Sequence, residues 1–411
     1  MQTTSLPLKA VPSVRADVIT CALEAGLPAD LDTLAASADP ARAFLRRAWY
    51  KADAGFGLCT LLARRRDGTP VVAIPTRPFG PMVMRARAVS SSYWPFRSFP
   101  MAKDATDAEI AALLDCAIIQ RALGPTLRIG PVYNDDPAVV RLSRVAQSMG
   151  WTVITRVLGQ TFIQDVSSGG AGQAVGQAWA SKSRQRKVRA YERKLEEAHG
   201  PLTVRTFSGP DWNPAVVADL RMIEANSWVG TTTDLSGAKF LNPANLAHWQ
   251  TAISDSVLAQ QLSATILYAS GKPIAFSFDL RSGNVQYGIA SSYHETMAKF
   301  SPGQIVTQRL IARSIAHGVT SIDWGSGDSG YKRALGAEPG AQIIDLLFVR
   351  GQVLAAALKP RWEMTGESGS KAISEGFAAS LGEINRSNVV RFEHVLLPGL
   401  ALAAAAAALT E

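Results

Sequence analysis

Two distant stretches of this chain are worded alike. Asp67-Gly68-Thr69-Pro70-Val71-Val72-Ala73 and Ser270-Gly271-Lys272-Pro273-Ile274-Ala275 share a Gly-x-Pro-aliphatic pattern. In each, glycine turns the chain between two aliphatic runs and proline opens the second run. Each is followed by a helical pattern and then a strand running into a glycine: Arg128-Ile129-Gly130-Pro131 in the first half, Asp323-Trp324-Gly325-Ser326 in the second. The offset is 203 residues between Gly68 and Gly271 and 195 between Gly130 and Gly325. This predicts a tandem duplication of one β-β-β-α-β unit. The length, 411 residues, suits two domains plus appendages.

The boundaries follow from composition. Residues 1–40 are rich in Ala, Pro and Asp and read as a loose arm with one short helix. Residues 41–170 hold the first copy, with strands over 58–63, 70–75 and 127–132, helices over 107–123 and 137–149, and a strand pair within 151–166. Residues 171–350 hold the second, with strands over 264–269, 273–280, 285–290, 320–324 and 342–349 and a helix over 302–317. Residues 351–411 read as a helical tail. Its run Val395–Leu409 is uncharged but only 15 residues long. That is short of the roughly 20 needed to span a bilayer, so no transmembrane segment is expected, and a peripheral membrane contact is the most such a tail could make.

Hydrophobic residues at 47% and charged residues at 18% exclude an intrinsically disordered chain. A net charge of +8 favours an anionic partner. The cysteines, Cys21, Cys59 and Cys116, are distant and odd in number. They suggest neither a disulfide framework nor a zinc site, and a reducing cytoplasm is the expected home. No metal is expected.

Three stretches carry chemistry. Ser301-Pro302-Gly303-Gln304 opens a helix. Ser301 is expected to cap it, Gln304 to close a capping box, and Gly303 to let an anion approach the first-turn N–H groups, as a pyrophosphate would. Asp323 ends a strand before the Gly/Ser loop to Gly330. Tyr331 then offers a proton, and Lys332 and Arg333 offer charge for phosphate or carboxylate. From Ser181 to Lys194 seven Lys or Arg stand against one acid, Glu192, with Val188, Tyr191 and Leu195 on one helical face.

Taken in order, Ser181-Lys182-Ser183-Arg184, Glu224 to Trp228, Gly271-x-Pro-Ile-Ala275, Phe300-Ser301-Pro302-Gly303 and Asp323-x-Gly-x-Gly-Asp328-x-x-Tyr331-Lys332 resemble the FemAB-type branch of the GNAT superfamily. In particular they resemble the BioF2-like acetyltransferase domain of bacterial CelD-like proteins, over about residues 175–340. The resemblance implies an α/β (α+β) architecture: tandem acyl-CoA N-acyltransferase folds with mixed, mostly antiparallel sheets flanked by helices. It implies acyl-CoA, acetyl-CoA above all, as donor, and a sugar or cell-envelope precursor amine as acceptor, anionic enough to use the basic helix. Direct attack of the amine on the thioester then needs no protein nucleophile.

The expected donor contacts are Ser291, Ser301, Pro302, Gly303 and Gln304. The expected catalytic groups are Asp323, Tyr331, Glu224 and His294, with Asp279 a further possible proton acceptor. The expected acceptor contacts are Lys182, Arg184, Trp228, Asp279, Tyr287, Asp328, Lys332 and Arg333. Two other functions compete: an aminoacyl-tRNA-dependent ligase of the FemAB kind, which would use the basic helix for RNA, and a binding protein with a degenerate site. No DNA contact is expected.

Overall fold

The computed structural model describes residues 19–51, 57–80, 86–90, 93, 95–167, 181–327, 330–360 and 362–363. The first half contains β1 (Ile19–Ala25), α1 (Asp30–Ser37), α2 (Arg47–Lys51), β2 (Cys59–Arg65), β3 (Pro70–Pro78), β4 (Arg87–Val89), α3 (Asp107–Asp115), α4 (Ala117–Leu123), β5 (Thr126–Tyr133), α5 (Pro137–Ser148) and β6 (Thr152–Asp165). The second contains α6 (Lys182–His199), β7 (Leu202–Ser208), α7 (Pro214–Ala225), α8 (Trp228–Thr232), α9 (Pro243–Ile253), α10 (Ser256–Gln261), β8 (Leu262–Ala269), β9 (Lys272–Ser282), β10 (Val285–Tyr293), α11 (Pro302–Ala316), β11 (Ser321–Ser326), α12 (Tyr331–Ala334) and β12 (Glu338–Val349).

The strands form one sheet in the order β1-β2-β3-β4-β5-β12-β6-β11-β10-β9-β8-β7. The two halves are related by the repeat read from the sequence: the hairpin β2–β3 answers β8–β9, and β5 answers β11. The last strands are exchanged. β6 closes the first half in sequence but pairs with β11, and β12 closes the second but pairs with β5. β6 and β12 then pair with each other at the centre. Neighbours run antiparallel except at two equivalent places, β4–β5 and β10–β11.

Three local expectations are corrected. Residues 19–37 are not a loose arm: β1 pairs with β2 along seven residues, and α1 buries Leu31 and Leu34. Residues 1–18 and the Ala-rich tail lie outside the described residues. Residues 152–165 form one strand rather than a pair; the segment lacks a turn dipeptide, and β12 and β11 together pair along its length. The helix expected over 107–123 breaks at Cys116, whose extended backbone ends α3 and starts α4. The capping box at Thr106 and Glu109 that begins α3 is present.

Two layers of helices cover the second half of the sheet. α7, α9 and α10 cover one face, where Leu220, Ile223, Trp249 and Leu258 join a core shared with Phe44, Trp49 and Phe96 of the first half. α6 and α11 cover the opposite face through Val188, Leu195, Ile305 and Val306. The shared core ties the halves together, and a polar knot runs through it. Arg42 Nε donates to Asp136 (2.8 Å) and Arg42 Nη1 to the Tyr287 hydroxyl (2.5 Å), while Ser98 donates to the other Asp136 oxygen (2.9 Å).

Candidate active site between β10 and β11

β10 and β11 run parallel but pair only through Val285–Ser321, Gln286–Ile322 and Tyr287–Asp323. Beyond that point β10 stays with β9 and β11 stays with β6. The register breaks in both, between Gly288 and Ala290 and between Asp323 and Ser326. The strands therefore diverge at their C-terminal ends, where sites gather in open α/β sheets. Glycines line the divergence. A Cβ on Gly325 would lie 3.7 Å from the Gly288 carbonyl oxygen, and one on Gly288 would lie 3.4 Å from that of Asp323. The result is a slit walled by main chain.

Two carboxylates stand at this slit on opposite sides of the sheet. Asp323 faces the first half. It accepts a hydrogen bond from the Gly325 N–H (2.7 Å), and the Tyr133 side chain stands near it. Burial pushes its pKa up to about 6, against the pull of Gly325, Tyr133, Lys332 and Arg42. Asp279, on β9 opposite Gly288, faces away from its neighbours Phe276 and Phe278 in the shared core. It is fully buried, and neither oxygen has a hydrogen bond of normal geometry. Burial pushes it up to about 7, with the nearby Ser277 and Gln286 side chains drawing it back. An unpaired buried carboxylate is costly to keep, and such positions recur at functional sites.

Tyr331 completes the cluster. It begins α12 immediately after Gly330, which sits at φ 83°. Tyr331 is 47% exposed. Burial of the hydroxyl, then the charge of Asp279, raises its pKa to about 12. Tyr331 is thus a protonated hydroxyl that feels the charge of Asp279.

The opening of α11 differs from expectation. Ser301 adopts a left-handed conformation (φ 50°, ψ 47°) and caps nothing. The Ser301 and Gln304 side chains turn instead to the Tyr191 hydroxyl on α6, beside Lys187. No side chain caps the helix; Pro302 carries no N–H and the Gln304 N–H donates to the Ser301 carbonyl (3.0 Å), which leaves the Gly303 N–H as the first-turn donor toward an anion. Gly303 also has a packing role: a Cβ there would lie 3.4 Å from the Tyr293 ring. Pro302 is buried beneath this turn. Exposed Ser291 and half-buried His294 stand at the end of β10, the latter with Nδ1 2.9 Å from the Thr296 hydroxyl. Trp228, 45% exposed, starts α8, whose Thr231 bonds Glu295 of the same edge.

Other expected residues have different work. Glu224 is not a free base: its carboxylate accepts three backbone N–H groups, from Lys239, Phe240 and Leu241. Tyr287 is buried in the Arg42 knot and donates to the Ala41 carbonyl (3.1 Å). Lys332 is buried and donates to the Gly325 and Ser326 carbonyls (3.0 and 2.8 Å), which fixes the glycine loop. Arg333 is exposed, 5.6 Å from the Phe162 ring centroid. Arg184 joins α6 to α12 through the Ala334 carbonyl (3.2 Å), and Lys182 is exposed at the start of α6. Asp328 lies outside the described residues.

Sequence reasoning missed Gly288, Tyr133, Arg42, Tyr93 and Lys239. Gly288 had a local signal, a glycine inside a strand pattern. The other four come from segments whose place beside the slit only the tertiary structure sets.

No curated protein matches this sequence. Residues 182–333, the stretch that builds the slit, match the model of the acetyltransferase (GNAT) domain. Among solved structures, FemX superposes with a TM-score of 0.53 at 11% identity, covering 80% of this chain and 98% of that one. The C-terminal DUF2156 domain of a protein described as a lysylphosphatidylglycerol synthetase of Agrobacterium fabrum gives 0.50 at 11% identity, covering 85% and 96%. L-PGS from Bacillus licheniformis gives 0.50 at 12%, covering 85% and 98%. The chain therefore has a FemAB-like GNAT-superfamily fold, with a domain of acyltransferase type in its second half. Among the described residues no group of three or more His, Cys, Asp or Glu could hold a metal ion, and no helix is long and apolar enough to cross a membrane.

Proposed function

We propose that the protein is an N-acyltransferase that moves an acyl group, acetyl in the first place, from acyl-CoA to an amine of a sugar or cell-envelope precursor in the cytoplasm. The observation that carries this reading is the slit between β10 and β11 with a partnerless carboxylate and a tyrosine hydroxyl beside it. The Gly303 N–H at the start of α11, with Lys187 near, suits the CoA pyrophosphate. Gly288 and Gly325 leave room for the pantetheine arm, and the strand edge offers N–H groups to the thioester oxygen.

The amine nitrogen attacks the thioester carbonyl carbon, forming the C–N bond. Asp279 takes the amine proton. The C–S bond breaks, and the leaving thiolate takes the Tyr331 proton. Asp279 then returns its proton to Tyr331, which restores both groups. The exposed bases of α6, Lys182, Arg186, Lys187, Arg189, Arg193 and Lys194, favour an anionic acceptor.

We assign catalysis to residues 171–350 and a structural role to residues 41–170. Past Ala88–Arg128, the position in the first half equivalent to the slit, Arg128 and Arg156 both bind Asp345 (2.8 and 2.6 Å), and Trp362 lies 4.0 Å from Arg156. That space is filled with side chains.

The test is CoA thiol release from acetyl-CoA with a panel of amines. Wild type should turn over, and Tyr331→Phe should lose about 10²-fold or more in kcat with its fold intact. A wild type inert with every acyl-CoA but active with charged tRNA would replace this reading with the ligase one. Unchanged kcat in Tyr331→Phe would remove that residue from the chemistry.

A further inference from the structure

Lys239 lies in the loop between α8 and α9, and its backbone is held on both sides. Glu224 Oε1 accepts the Lys239 N–H (2.8 Å), and Oε2 accepts those of Phe240 (2.7 Å) and Leu241 (2.8 Å). Phe240 packs edge-on against Phe276 and Phe278, and Asn245 donates to the Ala238 carbonyl (2.7 Å). A loop this firmly fixed presents the next side chain from a constant origin.

The Lys239 side chain takes no part in that scaffold. Its ammonium makes one hydrogen bond, to the Gly237 carbonyl (2.8 Å), so two of its three donors have no partner among the described residues. It sits 5.6 Å from the centroid of the Tyr93 ring. The Tyr93 hydroxyl donates to the Ile289 carbonyl (3.4 Å), inside the β10 bulge that opens the slit. The ammonium is therefore one ring away from the place where the strands part, on the face covered by α7 and α9 and opposite to α11. The carboxylate acting on it is that of Glu224, already used by three N–H groups. Burial draws the lysine pKa down to about 8, with the Glu224 charge resisting. A half-buried ammonium with spare donors is stabilised by any oxyanion that supplies the missing bonds.

We propose that Lys239 is the anchor for an oxyanion on the acceptor, a carboxylate or a phosphate, and holds the acceptor amine toward the slit from the face opposite the α11 donor site. This rests on the acyltransferase reading and deepens it: the acceptor is an amine that carries its own anionic group. Donor and acceptor approach from opposite faces of the sheet and meet in the gap between the strands. The preference for charged over neutral amines then rests on Lys239 together with the exposed basic residues of α6.

The test needs neither the donor nor the true acceptor. Lysines of the full chain are dimethylated with a 13C label, and their methyl resonances are titrated against pH. The Lys239 resonance is assigned as the one missing from Lys239→Arg. It should titrate near 8 in the free protein. On adding inorganic phosphate or acetate it should move toward the ordinary lysine value of about 10.4, and whichever ion is effective names the anionic group. A Lys239 resonance that titrates normally, or that neither ion moves, overturns the proposal. CoA thermal stabilisation, measured on the same sample, reports separately on the donor site, so loss of one result leaves the other readable.

Discussion

Asp279 is where chemistry and stability pull against each other. A carboxylate with no hydrogen bond and no exposure keeps its proton in the folded state up to about pH 7, whereas the unfolded chain releases it near 3.9. Between these values the folded state binds the extra proton. Its stabilising contribution is complete below about pH 4, declines as pH rises, and is gone above about 7. Asp323, raised to about 6, acts in the same direction. Asp279→Asn removes the charge and keeps the shape. The variant should therefore be more stable than wild type by on the order of 2–4 kcal/mol above pH 7, with the gap closing toward pH 5, and it should lose acyl transfer. Thermal unfolding of both proteins at pH 5 and pH 8 checks this. A variant less stable than wild type at pH 8 would show that the charge has a partner. The sequence placed Asp279 on an alternating strand, but its lack of a partner was not legible, because that depends on Gly288 in the next strand and on what α11 brings.

At the scale of elements, the exchange of β6 and β12 is held by a charged cross-link. Asp345 on β12 is fully buried between Arg128 on β5 and Arg156 on β6, with bonds to both guanidinium groups. Asp345→Ala leaves two buried cations facing one another. It should cost about 3–5 kcal/mol, measured by urea denaturation; a loss below 1 kcal/mol would mean the cross-link is dispensable. The hairpins β2–β3 and β8–β9 were legible in the sequence because Gly-Pro punctuation and aliphatic runs are local. The exchange was not, since nothing in residues 152–165 or 338–349 states which strands they will meet. Ser301 failed for a related reason. The Ser-Pro-Gly-Gln wording fits a cap, but the short helical turn over Glu295–Phe300 delivers Ser301 in a left-handed conformation, with its hydroxyl toward Tyr191 on another helix.

At the scale of the molecule, a duplicated unit has become one sheet with two unlike clefts. Both copies keep a parallel strand pair that parts after two or three residues. In the first copy the space beyond is filled by Arg128, Arg156, Asp345 and Trp362. In the second, Gly288 and Gly325 stand where the strands part. The two copies thus differ in what stands where their parallel strands part. The central claim is that the open gap takes the acyl donor, and calorimetric titration with CoA tests it most directly. Wild type should bind. Gly288→Val, which sets a branched side chain between the Asp279 carboxylate and the Asp323 backbone, should keep a cooperative fold and bind at least about tenfold more weakly, a loss of about 1.4 kcal/mol. No CoA binding by wild type, or equal binding by Gly288→Val, would contradict the account.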